Sequence, residues 1–331
     1  MPVRSLSAPN NSSRRCSARR WPDRTRPAIS SFKNGNMKLF YRAGLLCSLL
    51  AAVPAHACDI CGCGVSNYNP YLFPHLARNY IGLTYIHRGF RTLPPDEAPA
   101  HETYRSFLLS GQVQVGKKLR LLALLPWQQN DLRSETGNRR LNGPGDITLL
   151  AQYLAWERST ERARQAILVG AGMKLAIGKF VPAGSEKAAE QNFQLGTGSY
   201  DFLVNGSYRL SLRRWTLAAT ASYKYNTANA DGFRFGDVAT AGLLAAWRQE
   251  WKRWSLTPYL QLSHESLQRD ADRHVLQRHS GGTVFYAGGG VDVNTRSVTT
   301  GLNYQLAPDQ SLAGGQIRVQ PKFSAHASFA F

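Results

Sequence analysis

The sequence has 331 residues, 43% of them hydrophobic, and a formal net charge of +19 at pH 7. Residues 1–57 hold ten of its 40 Lys and Arg and one of its 21 Asp and Glu, which leaves 30 basic and 20 acidic side chains, or +10, in residues 58–331. These basic residues are scattered and form no basic helix, zinc-finger spacing or aromatic RNA-binding motif, so we expect no nucleic-acid partner. The absence of a nucleophile motif, a zincin helix and a phosphate-binding loop favours a function other than catalysis.

The first part of the chain has the composition of processing segments. Residues 1–36 are rich in Arg, Ser, Pro and Asn and have no apolar period, so we interpret them as a non-native leader upstream of a true start at Met37. A basic start, a short apolar run over residues 43–53 and a small-x-small cleavage site at residues 55–57 predict a signal peptide over residues 37–57. The apolar run is too short for a spanning helix, which needs about 20 apolar residues.

Three cysteines follow the predicted cleavage site, at Cys58, Cys61 and Cys63. Their thiolates could bind a soft metal ion such as copper or zinc. In an oxidising periplasm two of them could instead form a disulfide, and Cys58, at the first position after cleavage, could carry a lipid. Residues 58–78 are also rich in Asn, Pro and Tyr, and we expect a periplasmic segment or partial plug there.

From residue 79 onward the chain alternates polar and apolar residues, the period of half-buried β-strands. In 199–212, for example, Tyr200, Phe202 and Val204 share one face, and Asp201 and Asn205 share the other. The predicted strands are 79–90, 102–115, 118–130, 145–157, 164–179, 198–212, 214–227, 234–250, 253–267, 282–295, 297–307 and 317–331. Pro258 is the weak point of its strand, because proline removes a ladder donor.

The connections between these strands alternate in length. Long connections are predicted at 91–101, 131–144, 180–197, 228–233, 268–281 and 308–316, and short ones near 116–117, 157–163, 213, 251–252 and 296. Single-chain outer-membrane barrels have an even number of strands, short periplasmic turns, longer outer loops and both termini in the periplasm. Six loops and five turns fit twelve such strands.

Aromatic residues and the last strand support a membrane barrel. Trp residues lie near the predicted strand ends, as expected for membrane interfaces, at Trp127, Trp156, Trp215, Trp247, Trp251 and Trp254. Residues 317–331 alternate up to Phe331, and a terminal strand that ends in Phe resembles the signal read by the barrel-assembly machinery. A soluble β-sandwich or repeat array is the rival, but it explains neither the loop alternation nor this ending. The predicted fold is all-β, a transmembrane antiparallel up-and-down β-barrel of about 12 strands over residues 79–331, in contact with outer-membrane lipid.

Charged side chains on the polar faces are predicted to line the lumen: Asp201, Arg209, Lys224, Glu265, Arg318 and Lys322. Inward basic residues favour anions in a pore, whereas paired charges would lock the interior. Twelve strands lie between filled eight-stranded barrels and wide porins, so the size is compatible with a narrow channel or with a plugged interior.

Two stretches carry a family likeness. The Gly-x-Gly-Asp start of a strand in Gly143–Tyr153, a Pro-x-Gly loop at 182–184 and the Gly-Thr-Gly-Ser-Tyr-Asp sequence in Gln194–Tyr208 resemble outer-membrane transporter-like proteins of the phenol-degradation meta-pathway type. The resemblance implies a barrel that takes up a small solute passively. We interpret Asp146 and Asp201 as loop-capping or lumen-facing groups, since aspartate forms local bonds at such places. The alternative function is a non-transporting metal-binding or structural outer-membrane protein that acts through the three cysteines.

Overall fold

The computed structural model describes residues 78–93, 99–135, 137–181 and 193–331. Strands account for most of this part of the chain: β1 (Tyr80–Thr92), β2 (Ala100–Val115), β3 (Leu119–Ser134), β4 (Gly137–Pro144), β5 (Ile147–Ser159), β6 (Arg164–Leu175), β7 (Asp201–Leu212), β8 (Trp215–Tyr225), β9 (Phe233–Arg234), β10 (Val238–Trp247), β11 (Gln249–Glu250), β12 (Ser255–Leu267), β13 (Ala271–Asp272), β14 (Val275–Leu276), β15 (Gly282–Asn294), β16 (Val298–Leu312), β17 (Ile317–Val319) and β18 (Lys322–Ala330). A 3₁₀ turn, Ala313–Gly315, lies between β16 and β17. Within the described ranges, no helix is long and apolar enough to cross a membrane.

The strands form one closed antiparallel barrel of twelve positions. Going around it, the order is β1, β2, β3, β4 with β5, β6, β7, β8, β10, β12, β15, β16 and β17 with β18. The last position pairs with the first, for example Leu83 with Ala327 and Phe90 with Val319. Closure pairs the strand edges that would remain open in a flat sheet, as a membrane-spanning sheet requires. The twelve-stranded antiparallel barrel predicted from the sequence is confirmed.

The two ends of the barrel differ. At one end, which we call the turn end, connections are short, at 116–118, 160–163, 213–214, 248–254 and 295–297. The N–H of Phe331 donates to the carbonyl of Asn79 at this end, at 3.0 Å. Longer connections lie at the opposite end, the loop end, where β9, β13 and β14 form a small separate sheet.

The outer face of the barrel is apolar and exposed, as a lipid-facing surface must be. Large apolar side chains such as Ile81, Leu83 and Val113 are at least half exposed. Aromatic residues gather at the turn end, where Trp215 lies opposite Trp247 and the rings of Trp251 and Trp254 stack 4.1 Å apart. This arrangement matches the interfacial aromatic girdle that the sequence predicts.

Several predicted boundaries differ from the structure. Residues 131–144 form a β-hairpin that continues β3 into β4 beyond the barrel wall, instead of an irregular loop. β16 extends to Leu312, into the predicted loop 308–316, and β6 ends at Leu175, four residues before the predicted end. Pro258 lies within β12 opposite Val291 without breaking the strand.

The final predicted strand, 317–331, is interrupted at Gln320 and Pro321. Val319 and Lys322 are both buried although an odd number of steps separates them, so the alternation changes phase between β17 and β18. Three residues of this strand, 320–322, face the two residues Arg88 and Gly89 of β1. This extra residue is a β-bulge, which bends the strand and reverses its faces.

Candidate functional site

The middle of the barrel has a polar interior. Buried hydroxyl and amide side chains occupy the inward positions of the strands: Thr84, Ser110, Gln112, Gln128, Thr148, Gln152, Thr240, Thr257, Asn303 and Gln305. Their neighbours in sequence point outward to the apolar surface, because successive residues of a strand face opposite sides. Such a lining offers hydrogen bonds to a solute along the barrel axis.

A buried charge network lies at the loop end, where β6 ends and β7 begins. The Nζ atom of Lys174 is 3.2 Å from Oδ2 of Asp146, forms an ion pair with Asp201 and donates a hydrogen bond to Thr197. The side chains of Lys174 and both aspartates are almost completely buried. One ammonium between two carboxylates leaves an excess negative charge, which must be compensated by hydrogen bonds.

The loop between β6 and β7 supplies those hydrogen bonds. The N–H groups of Gly178 and Thr197 donate to Asp146, each at 2.9 Å. A Cβ atom added to Gly178 or Gly196 would lie 2.8 Å from the Oδ1 atom of Asp146, so glycine allows the loop to approach this closely. Asp201 in turn accepts a hydrogen bond from the Ser199 hydroxyl at 3.0 Å. Both aspartates therefore cap loop groups, as the sequence interpretation expects.

The anchored loop carries Phe193 into the barrel. Nδ2 of Asn130, on β3, donates to the carbonyls of Phe193 and Gln194 at 3.4 and 3.2 Å. The rings of Phe193 and Tyr104 are 6.4 Å apart, and those of Tyr104 and Phe90 are 5.6 Å apart with an edge-to-face geometry. Such ring pairs contribute about 0.5–1.5 kcal/mol beyond their burial.

Phe193 belongs to a larger buried cluster, which we call the apolar constriction. Its members come from seven barrel strands, the loop after β6 and the 3₁₀ turn: Phe90, Tyr104, Phe193, Val238, Leu267, Val284, Tyr286, Leu312, Ala313 and Val319. Because these strands lie around much of the circumference, the cluster narrows the lumen at the loop end. The cavity beside it, lined by Ile86, Arg88, Tyr104 and Asn130 among others, measures about 10 Å³, which is close to the space of one water molecule.

Charged residues lie directly next to the apolar constriction. Lys322 is buried, and its Nζ atom lies 5.8 Å from the centre of the Tyr286 ring. Arg88 and Glu265 both interact electrostatically with Lys322. The structure thus brings two predicted lumen residues, Glu265 and Lys322, together at the constriction.

The other predicted lumen residues lie elsewhere. Asp201 belongs to the network around Lys174, Arg209 is buried near the turn end beside Arg120, Arg164 and Glu157, and Lys224 is half-buried on β8. The prediction for Arg318 is wrong, because the bulge at 320–321 reverses the faces of the strand. Arg318 is exposed on the outer face opposite Arg91.

Cys58, Cys61 and Cys63 lie outside the described residues, as does the Pro-x-Gly loop at 182–184. Copper or zinc binding, a disulfide and lipidation therefore stay predictions for the cysteines. In the part of the chain that the structure covers, no three His, Cys, Asp or Glu side chains are placed to hold a metal ion.

Sequence reasoning missed Lys174, Phe193 and the apolar constriction. Strand alternation indicates which residues share a face, but it does not distinguish lipid from an apolar patch inside the lumen. The inward orientation of Phe90 and Tyr104 could have been predicted from the strand alternation. Each lies an even number of residues from a polar inward residue of the same strand, Thr84 on β1 and Ser110 on β2. Phe193 follows no strand pattern, so its role depends on the three-dimensional course of the loop.

Comparison with solved structures finds an outer-membrane channel with the same fold. An outer membrane channel from Pseudomonas putida F1 shares 13% identity with a TM-score of 0.58, over 77% of this chain and 96% of that chain. The β domain of the Bordetella autotransporter BrkA gives 14% identity and a TM-score of 0.46, over 77% and 100% of the two chains. The CymD monoaromatic hydrocarbon channel gives 11% and 0.37, over 84% and 95%. Among curated protein sequences, none matches the chain.

A family model defines the relationship more closely. The model described as "Putative MetA-pathway of phenol degradation" matches residues 101–320. This range runs from the start of β2 to the bulge after β17, so it includes the Lys174 network, the loop after β6 and most of the apolar constriction. The chain is an outer-membrane β-barrel that belongs to this phenol-degradation family.

Proposed function

We propose that this barrel transports a small solute passively across the outer membrane, and that the apolar constriction selects what passes. The observation that carries the proposal is the position of Phe193. A buried loop network holds this ring within a cluster that narrows an otherwise polar lumen.

Small aromatic compounds are the solute class that this constriction favours. Its aromatic members Phe90, Tyr104, Phe193 and Tyr286 can contact a ring, since aromatic pairs prefer stacked or edge-to-face arrangements. The amide and hydroxyl groups beyond it can bond to a hydroxyl substituent. The name of the family, which refers to phenol degradation, supports the same class.

The proposal includes an orientation. The loop end faces the outside and the turn end, with Asn79 and Phe331, faces the periplasm, because bacterial barrels have short periplasmic turns. A solute would then meet the apolar constriction first and the polar lumen second. The exposed Phe331 would be available to the barrel-assembly machinery during insertion.

The test is to widen the constriction without unfolding the barrel. Phe193→Ala removes the ring that the loop contributes, so we expect higher single-channel conductance in planar bilayers and faster entry of sugars of similar size to phenols into liposomes. Tyr200→Ala is the matched control, because Tyr200 is an aromatic residue of the same loop that is 57% exposed. Closed channels in both the native protein and the Phe193 variant, with no solute entry, would contradict transport.

A further inference from the structure

A second surface lies outside the barrel, on the sector formed by β17, β18 and β1–β4. Four aromatic residues form a row on its outward face: Phe323, Tyr85, Phe107 and Trp127. Tyr85 lies 5.2 Å from Phe107 and 6.5 Å from Phe323, measured between ring centres, and Tyr85 and Phe107, like Phe107 and Trp127, are directly opposed on neighbouring strands. The indole N–H of Trp127 donates to Oδ1 of Asn142 at 2.8 Å. A row of rings with a polar side toward the loop end marks the level at which the apolar belt ends.

Basic side chains occupy outward positions at two levels beyond this row. His87 and Arg105 lie two residues further along the strands toward the loop end, directly opposite each other. Four residues beyond them lie Arg318, Arg91, His101 and Arg133, again paired across successive strands. With a rise of about 3.4 Å per residue, these two levels lie roughly 7 and 20 Å along the strands from the aromatic row.

A shared carboxylate holds two of the arginines in place between these levels. Asp131 accepts a hydrogen bond from Nη1 of Arg105 at 2.7 Å and another from Nε of Arg140. Its side chain is only 8% exposed, whereas that of Arg140 is 65% exposed. The carboxylate therefore lies beneath guanidinium groups that present their remaining donors outward, and a guanidinium can bind a phosphate through two parallel hydrogen bonds.

The outward-facing charge of this sector is predominantly positive. It contains five outward arginines, at positions 91, 105, 133, 140 and 318, against the carboxylates of Asp131 and of Glu135 in the β3–β4 turn, which gives 5 − 2 = +3. Across the barrel the same end carries exposed charges of both signs, for example Asp272 and Arg273. There Arg234 is paired with Asp237 at 2.8 Å and lies over the ring of Tyr225.

We propose that this cationic sector binds the phosphates of lipopolysaccharide in the outer leaflet of the membrane. Its arginines lie roughly 7 to 20 Å along the strands beyond the aromatic row, on the headgroup side of the apolar belt, and they face away from the barrel axis. Cationic side chains at a membrane surface are attracted to anionic headgroups, and arginine recognises phosphate by charge and by geometry. The site depends on the orientation proposed above, with the loop end outside, but it is separate from the lumen and from solute transport.

The experiment measures binding of diphosphorylated lipid A to the full-length protein in detergent micelles, where membrane orientation has no effect. The triple variant Arg91→Gln, Arg133→Gln and Arg318→Gln leaves the Asp131 pairs intact. We expect it to weaken binding by about tenfold or more, since each basic residue near an anionic lipid surface contributes substantially. The matched control Arg158→Gln, Arg162→Gln and Arg253→Gln removes three exposed arginines at the turn end and should change the affinity less than about twofold.

Further arms of the experiment identify the source of the phosphate. Lipid A without phosphate should bind weakly, and inorganic phosphate at millimolar concentration should not displace the lipid. Four outcomes would each overturn the proposal. These are native affinity in the triple variant, the same loss of affinity in the control variant as in the triple variant, binding of the dephosphorylated lipid as tight as that of diphosphorylated lipid A, and displacement of the lipid by inorganic phosphate. If the triple variant does not fold, each single Arg→Gln variant should still weaken binding measurably. Conductance recorded on the same preparations shows whether transport persists, so the two proposals can fail independently.

Discussion

At the scale of single residues, Lys174 is the group on which the site most depends. It is the ammonium between Asp146 and Asp201, and both of its carboxylate partners are buried. Removing one partner of a buried ionic group leaves uncompensated charge, which costs more than the intact group contributes. The same aspartates accept hydrogen bonds from the loop that carries Phe193. Loss of the Lys174 charge would therefore disturb the position of Phe193 in the constriction.

We therefore predict that Lys174→Met destabilises the barrel by about 3–5 kcal/mol, the usual cost of breaking a buried ion pair. The measurement is the midpoint of urea unfolding in micelles, followed by the heat-modifiable shift of the folded band in electrophoresis. Lys179→Met is the control, because Lys179 is exposed on the same loop. An unchanged midpoint for the Lys174 variant would contradict the prediction and show that this ammonium does not stabilise the barrel.

At the scale of elements, the sequence predicted the strands well and the loops poorly. Strand alternation and interfacial Trp residues identify all twelve barrel positions, because lipid and lumen impose opposite chemistry on successive residues. The bulge at 320–321 escaped prediction, since a single extra residue changes the phase of a strand without changing its composition. The Phe193 loop escaped for a different reason: its position depends on contacts with Asn130 and Asp146, which are distant in sequence.

The closing pair of strands gives a direct test of this architecture. Leu83 on β1 and Ala327 on β18 are opposed and both point outward. In a protein whose five native cysteines are replaced by Ser, we expect Leu83→Cys with Ala327→Cys to form a disulfide on mild oxidation, because opposed Cβ atoms lie about 4.5–5.5 Å apart.

The cross-link should appear as an altered mobility of the unfolded band that a reductant reverses. Leu83→Cys with Phe323→Cys is the control, since Phe323 lies four residues from the opposed position, roughly 13 Å along the strand. Cross-linking of the control but not of the opposed pair would mean that the barrel closes in another register.

At the scale of the whole molecule, the two proposals require the same orientation. The constriction must meet solute from outside, and the cationic sector must meet the outer leaflet. Both lie at the loop end. The turn end contains the short connections, Asn79 before the first strand and Phe331 after the last strand. One orientation in the membrane would therefore place the constriction and the cationic sector on the outer side, and Asn79 and Phe331 on the periplasmic side.

This orientation can be tested on intact cells. An epitope inserted between Arg273 and His274, at the tip of the β13–β14 hairpin, lies at the loop end, where both residues are exposed and have a positive φ angle typical of a tight turn. We expect antibody to bind this epitope on intact cells. An epitope between Glu161 and Arg162 lies in the turn between β5 and β6 and should be detected only after the outer membrane is permeabilised.

Because exposed loop tips tolerate insertions, both proteins should assemble, and equal folded bands on electrophoresis would verify this. The reverse labelling pattern would place the constriction at the periplasmic end and remove the cationic sector from lipopolysaccharide. It would overturn the proposed orientation and the lipid site, and it would leave the barrel fold and passive transport intact.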